Sequence, residues 1–113
     1  MAITTTTVGN VAVGNVYVSS GNTVVTFLSL CNYSGSAITA NIYVVPSGDS
    51  AADTNLAITG LEIVGNSTTG GDTYQFYAGN EKLILSNGDS IQAVTATGNL
   101  TAIVSYKIGR AHV

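Results

Sequence analysis

The chain has 113 residues and a formal net charge of −3, from three Lys and Arg against six Asp and Glu. Three scattered cations cannot neutralise a phosphate backbone, so the composition argues against nucleic acid and an anionic membrane surface as partners. The length is typical of one domain (1–113), and no stretch approaches the ~18 apolar residues of a membrane-spanning helix.

Short runs of β-branched residues between Gly-Asn turns predict an all-β chain. The first predicted strand is Val11–Val18, in which the apolar alternation slips at Gly14-Asn15, as a β-bulge would cause. The next, Val24–Cys31, is apolar on both faces, which is typical of a central strand covered on both sides. Ala37–Val45 alternates apolar and polar residues and is predicted to be half-buried.

The second half of the chain continues this pattern. Further strands are predicted at Leu56–Val64, Tyr74–Tyr77, Lys82–Leu85 and Leu100–Ile108, with the second and third of these pairing through residues 78–81. Asn87-Gly88 and Thr97-Gly98-Asn99 are both typical of hairpin turns. Seven or eight antiparallel strands without a convincing helix predict a single-domain β-sandwich, in Greek-key or jelly-roll order.

Charged residues make up 8% of the chain, against roughly 25% in an average soluble protein. The exposed surface must then consist mostly of neutral polar residues, which are inexpensive to desolvate because no strongly hydrated ion is stripped. The composition therefore favours a protein that packs against other molecules. A secreted monomer with few charges is the alternative.

Three segments are candidates for such contacts. The loops Pro46–Asn55 and Gly65–Thr73 are long, and long loops on a rigid scaffold often carry binding, with plain connection as the alternative. The Thr-rich start, within residues 1–8, is either an arm that adds a strand to a neighbour or a frayed terminus. The candidate interface residues are Ile3, Thr5, Thr7, Pro46, Asp49, Asp53, Asn66, Thr69 and Asp72.

The chain offers few groups for chemistry, with one His, one Cys and no Trp. His112 is the penultimate residue, where a catalytic base would lack fixed geometry, and its spacing from Cys31 matches no usual zinc pattern. Cys31 stands in an apolar run and is predicted to be a buried, inert thiol. Asp49 and Asp53 leave calcium open, although turn capping is the ordinary role of Asp after Gly. The prediction is a non-enzymatic protein with no catalytic residue, metal site or cofactor.

Two segments, Leu30–Gly48 and Lys82–Ala93, combine a polar turn with an apolar strand. In these motifs the chain resembles a group of small β-rich structural proteins of tailed bacteriophages. In that group a "CN-x-SGS-A" turn leads into an "IYVVPSG" strand, as the stretch Leu30–Gly48 does here. The stretch Lys82–Ala93 is similar to their "L-x-x-GD-x-I-x-A" hairpin. The resemblance extends from Val16 to Ile108.

The resemblance implies a virion component. It favours a capsid decoration (cement) protein, which binds the phage major capsid protein on the outside of the shell and bridges capsid subunits, usually as a homotrimer. A single domain without a coiled coil or shaft repeat supports this preference over the alternative. That alternative is a tail-associated protein, such as a fibre, adaptor or receptor-binding module, with adhesive loops. The expected location is the virion, on the capsid surface or on the tail.

Overall fold

The computed structural model describes residues 2–64, 72–76 and 83–108, with 72–76 described by their backbone alone. These residues contain nine β-strands and one 3-10 turn, at Asp53–Asn55. The strands are β1 Ala2–Val8, β2 Gly14–Val18, β3 Thr23–Asn32, β4 Ile38–Val45, β5 Leu56–Ile63, β6 Asp72–Phe76, β7 Leu83–Leu85, β8 Ser90–Thr95 and β9 Leu100–Ile108.

The strands form two antiparallel sheets. Sheet A has the order β1-β9-β3-β6, and β7 also pairs with β3; sheet B has the order β2-β8-β4-β5. Strand β6 pairs with Leu28–Asn32 of β3 and β7 with Thr23–Val25, so the two follow one another along the same edge. Nine strands therefore fill eight positions, four in each sheet. This confirms the predicted all-β sandwich, and the order is that of a jelly roll.

The core lies between the two sheets, as the alternation of apolar residues predicts. On β4, Ile38, Ala40 and Ile42 are at most 3% exposed, while the polar residues between them are half-buried on the outer face. Sheet A contributes side chains of the same kind from β3 and β9. The buried core residues are Val8, Val16, Tyr17, Val25, Leu28, Leu30, Ile38, Ala40, Ile42, Ile63, Leu85, Ile91, Ala93, Leu100, Ala102 and Val104.

The predicted bulge in the first half of the chain is present. The pairing of β2 with β8 shifts register between Asn15 and Tyr17, so Val16 is the extra residue. Val16 and Tyr17 are consequently both buried although they are adjacent. The predicted start of this strand at Val11 is wrong. The strand begins at Gly14, and Val11 is 97% exposed in the preceding loop.

The predicted hairpins at Asn87-Gly88 and Thr97-Gly98-Asn99 are wrong in their pairing. Both turns form, and Gly88 and Gly98 have φ of +87° and +75°. The first turn, however, leads from β7 in sheet A to β8 in sheet B, and the second leads from β8 back to β9 in sheet A. Turn residues specify a chain reversal but not whether the next strand stays in the same sheet.

Two further segments differ from the prediction, and a third decides between two alternatives that the sequence left open. Strands β6 and β7 both pair with β3 rather than with each other, and the predicted connecting turn at 78–81 lies outside the described residues. Asp72 and Thr73, predicted to end a loop, belong to β6. Residues 2–8, for which an arm and a frayed terminus were both open, form β1 and pair along their whole length with β9.

Candidate interaction surfaces

The structure places three candidate residues of the chain start on one surface. Along β1 the side chains of Ile3, Thr5 and Thr7 are exposed, while those between them are half-buried toward sheet B. Ile3 is 68% exposed although it is a large apolar residue. The three residues therefore line the solvent-facing side of an edge strand.

These residues continue into a broader surface, which we call the outer face of sheet A. Antiparallel register places Thr5 beside Ile103, and Ile103 beside Ser29 of β3. The next row places Ile3 beside Ser105 and Phe27. The remaining described members are Thr7, Val24, Cys31, Ile84, Thr101 and Lys107. This face combines apolar and hydroxyl side chains, which suits packing against another surface.

The outer face of sheet A is almost free of charge. No residue before Asp49 is charged, so strands β1 to β4 contain no ionic group. Among the described members of this face, Lys107 alone carries a charge, at its end on β9. Covering the face would therefore require little removal of strongly hydrated ions.

Cys31 lies on this same face and is half-buried, so the predicted buried thiol is wrong. The reason is the position of β3. Its inward residues Leu28 and Leu30 reach the core, but Val24, Phe27 and Cys31 point to the opposite side and are only half-buried. The prediction that this strand is covered on both faces therefore fails for the described part of the chain, where sheet B covers one face only.

A second surface is the loop from Pro46 to Asn55, which contains three more candidate residues. Pro46, Asp49 and Asp53 are exposed, and the loop is held by its own hydrogen bonds. The Asp49 N–H donates to Pro46 O at 3.0 Å. The Asn55 side chain accepts from the Ala52 N–H at 3.0 Å and donates to Ser50 O at 2.9 Å. The loop therefore presents two carboxylates on an ordered backbone.

Asp89 fixes this end of the sandwich, which the residue pattern did not reveal. Its carboxylate accepts hydrogen bonds from the Ser47 N–H at 2.9 Å and the Ser86 N–H at 2.8 Å. It thereby joins the β4–β5 loop to the β7–β8 turn. The sequence indicates the related shape of these two turns only through the repeated tripeptide Gly-Asp-Ser. In both copies the Gly, Gly48 or Gly88, has φ of +87°, and the following Asp N–H donates to the backbone carbonyl three residues earlier.

Asn32 fixes the opposite end. Its side chain is 0% exposed and makes four hydrogen bonds. The amide Nδ2 donates to Ser36 O and to Ile63 O, both at 2.8 Å. Its Oδ1 accepts from the N–H and the hydroxyl of Ser34 at 2.9 and 2.8 Å. The "CN-x-SGS-A" turn is thus closed by a buried amide that also binds the end of β5.

The candidate residues do not form one site. Strand β1 lies beside β9 in sheet A, whereas the Pro46–Asn55 loop joins β4 to β5 at the far edge of sheet B. Asn66 and Thr69 lie outside the described residues, and Asp72 is described only as the first backbone position of β6. The described candidate residues therefore lie on two separate surfaces, the outer face of sheet A and the Pro46–Asn55 loop.

In 2–64, 72–76 and 83–108 no group of three or more His, Cys, Asp or Glu could hold a metal ion. His112 lies outside these ranges. Within the same ranges, no helix has the length and apolar character needed to cross a membrane.

Comparison with known proteins gives no match, whether to a family model, to a curated protein or to a solved structure. The jelly-roll order is shared by viral capsid domains, lectins and cupins, and a shared fold does not by itself assign a function.

Proposed function

We propose that the chain is a non-enzymatic structural protein of a phage virion. The finer form of the proposal is a capsid decoration protein, which binds the outside of the shell and bridges capsid subunits. The observation that carries it is the outer face of sheet A, with its nearly uncharged mixture of apolar and hydroxyl side chains. The resemblance of Leu30–Gly48 and Lys82–Ala93 to phage structural proteins supports the same assignment.

The mechanism would be physical rather than chemical. A neutral sheet face can bury about 800 Å² against each partner, the usual size of a stable contact, without stripping many ions of their hydration. The apolar members Phe27, Ile84 and Ile103 would supply the hydrophobic centre of this contact, and the exposed Thr5 and Thr7 part of its polar rim. Repetition over a shell would then multiply a modest contact into a large resistance to internal pressure.

The bonded ends of the sandwich also support the proposal. Asn32 ties the β3–β4 turn to β5, and Asp89 ties the β4–β5 loop to the β7–β8 turn. These bonds restrain loops at both ends of the sandwich and so stiffen the scaffold that carries the outer face of sheet A. A shell-bridging protein requires this stiffness, because a flexible bridge would not oppose the movement of capsid subunits.

A cosedimentation experiment tests the proposal. Shells assembled from the major capsid protein of the same phage, without this protein, are mixed with the wild type, an Ile103→Lys variant or an Ala57→Lys variant. Ile103 lies within the outer face of sheet A, whereas Ala57 is an exposed residue of β5 at the far edge of sheet B. We expect the wild type and Ala57→Lys to pellet with shells and Ile103→Lys to stay in solution.

Two results would count against the decoration assignment. One is that the wild type fails to pellet with shells. The other is that both lysine variants bind equally, because the outer face of sheet A would then make no contact. Thermal unfolding of Ile103→Lys, compared with the wild type, separates lost binding from lost folding.

The Pro46–Asn55 loop favours a second candidate, a tail-associated protein that contacts a host receptor. Its ordered backbone presents Asp49 and Asp53 to solvent, as an adhesive loop would. For this candidate we expect the double change of both Asp to Asn to slow phage adsorption to host cells without changing particle assembly. Unchanged adsorption, measured as free phage against time, would remove the support for this alternative.

A further inference from the structure

The four edges of the sandwich differ in how well they are protected against pairing with another chain. An edge strand exposes unpaired N–H and C=O groups, and proteins usually blunt it with bulges, charges or short length. Strand β5 has two register shifts, a Gly at position 60 with φ of +66°, and the charge of Glu62. Strand β2 has five residues and the bulge at Val16, and the third edge is divided between β6 and β7.

Strand β1 has none of these protections. Ala2–Val8 pairs with β9 at seven consecutive positions without a register shift, and it contains no charge, Pro or Gly. At 3.4 Å per residue it is about 24 Å long. In the described part of the chain β9 is the only strand that pairs with β1. Strand β2 contacts β1 through a side-chain hydrogen bond, which the Thr6 hydroxyl donates to Val16 O at 3.4 Å, but it does not pair with the other edge of β1.

We propose that β1 pairs antiparallel with β1 of a second copy of this chain, across a two-fold axis at Thr5. Sheet A of the two copies then becomes one continuous sheet. In this register Thr5 faces Thr5 of the partner subunit, Thr4 faces Thr6 of the partner subunit, and Ile3 faces Thr7 of the partner subunit. A two-fold contact of this kind is self-complementary, because each residue pair occurs twice.

The composition of β1 fits this pairing. Opposed Thr side chains on neighbouring strands are a favourable cross-strand combination, whereas like charges directly opposite one another are destabilising. The chain carries a net charge of −3, but no charged residue precedes Asp49. Asp53 and Glu62 belong to the β4–β5 region at the far edge of sheet B, so two copies meeting at β1 bring their uncharged edges together.

The pairing gives a dimer, not the homotrimer that the phage resemblance implies. In a closed trimer through β1, this edge would have to pair with a different strand of the neighbour. The described strands at the other three edges are bulged, charged or short, so each is a poorer partner than a second β1. The inference does not depend on the proposed virion function, since it concerns only the free edge of the strand.

Size-exclusion chromatography with light scattering tests the register directly. The samples are the wild type, Thr5→Lys, Thr5→Asp, an equimolar mixture of these two variants, and Ala57→Lys as the control on another edge strand. Thr5 is exposed, so neither change disturbs the core. We expect a dimer for the wild type and for Ala57→Lys, and monomers for each Thr5 variant alone. We expect the mixture to recover the dimer, because Lys then faces Asp across the axis.

The remaining outcomes overturn the proposal. A wild type that stays monomeric or forms a trimer contradicts the β1 dimer. Thr5 variants that remain dimeric on their own show that the contact lies elsewhere. Two monomeric variants that do not recover the dimer when mixed contradict the two-fold register, provided that circular dichroism shows both to be folded. The dimer is measured without shells, so its presence or absence is scored separately from capsid binding in the cosedimentation experiment.

Discussion

Replacing Asn32 by Asp tests whether the buried amide holds one end of the sandwich together. The change is nearly isosteric, but it replaces the Nδ2 donor with an oxygen. The two hydrogen bonds to Ser36 O and Ile63 O are then lost, and an oxygen faces both carbonyls in a site that is 0% exposed. Because the shape of the side chain is conserved, the effect on stability comes from the lost hydrogen bonds and the buried carboxyl and not from a change in packing.

The magnitude can be worked from the surroundings. Ile63 is 1% exposed, so its unsatisfied carbonyl costs roughly 1–3 kcal/mol, whereas the exposed Ser36 can turn its carbonyl to water at a cost of about 0.5 kcal/mol. Protonating the new carboxyl at pH 7, roughly three pH units above its usual pKa, costs about 4 kcal/mol. The protonated acid can donate one hydrogen bond to Ile63 O again, so only the smaller cost at Ser36 O is added, and we expect a total loss of about 4–5 kcal/mol.

Thermal and urea unfolding measure this loss. Unfolding entropy of about 2.1 cal/mol/K per residue means that each kcal/mol lowers Tm by about 4 °C in a chain of 113 residues. We therefore expect Tm to fall by roughly 16–20 °C at pH 7. Burial raises the pKa of the introduced carboxyl above its unfolded value. The penalty relative to the wild type is therefore smallest at acidic pH and grows as pH rises through the folded-state pKa.

Asn55→Asp is the matched control. It introduces the same charge in the Pro46–Asn55 loop, where the side chain is half-buried and donates one hydrogen bond. We expect it to cost about 0.5–1.5 kcal/mol. The reasoning is refuted if Asn32→Asp costs no more than Asn55→Asp, or if its penalty is the same at pH 4 and pH 7.

Two further predictions concern the other end of the sandwich. Asp89→Asn removes one of the two carboxylate acceptors, so we expect urea unfolding to show a free energy of unfolding lower by about 1–2 kcal/mol. For the matched change Asp49→Asn, in the corresponding turn of the Pro46–Asn55 loop, we expect almost no loss. Gly88→Ala and Gly48→Ala both place a side chain at φ of +87°, which costs about 1–2 kcal/mol. A Cβ added at Gly88 would lie 2.9 Å from the Cβ of Ser47, whereas a Cβ added at Gly48 would meet nothing. We therefore expect Gly88→Ala to lower Tm more than Gly48→Ala does. Equal losses would contradict the role of this contact.

Residue alternation was enough to predict which side chains fill the core. The pattern from Ile38 to Ile42 identified the inward residues of β4 because each step along a strand reverses the face. The alternation fails at the end of the strand, where Val45 is 1% exposed and Val44 is half-buried, beyond a register shift at Ile42. The slip in alternation before Tyr17 likewise indicated a bulge. Both features are local, so a single segment contains all the information that they need.

Strand partners could not be predicted in the same way. The tight turns at Gly88 and Gly98 cross between sheets, whereas β4 and β5 pair with each other through the ten-residue loop 46–55. Which sheet a strand joins is decided by packing across the whole core. Asn32 was missed for a related reason, since its amide binds Ile63, 31 positions away. The half-buried Cys31 shows that apolar character alone does not fix which face of β3 is covered.

Quantitative mass spectrometry of purified virions tests the central claim most directly. Peptides of this chain are counted against peptides of the major capsid protein from the same particles. The decoration proposal predicts on the order of hundreds of copies per particle, because the contact must repeat over the shell. About a dozen copies would instead fit a component repeated around the single tail axis. Absence of the chain from purified particles would contradict a virion role altogether.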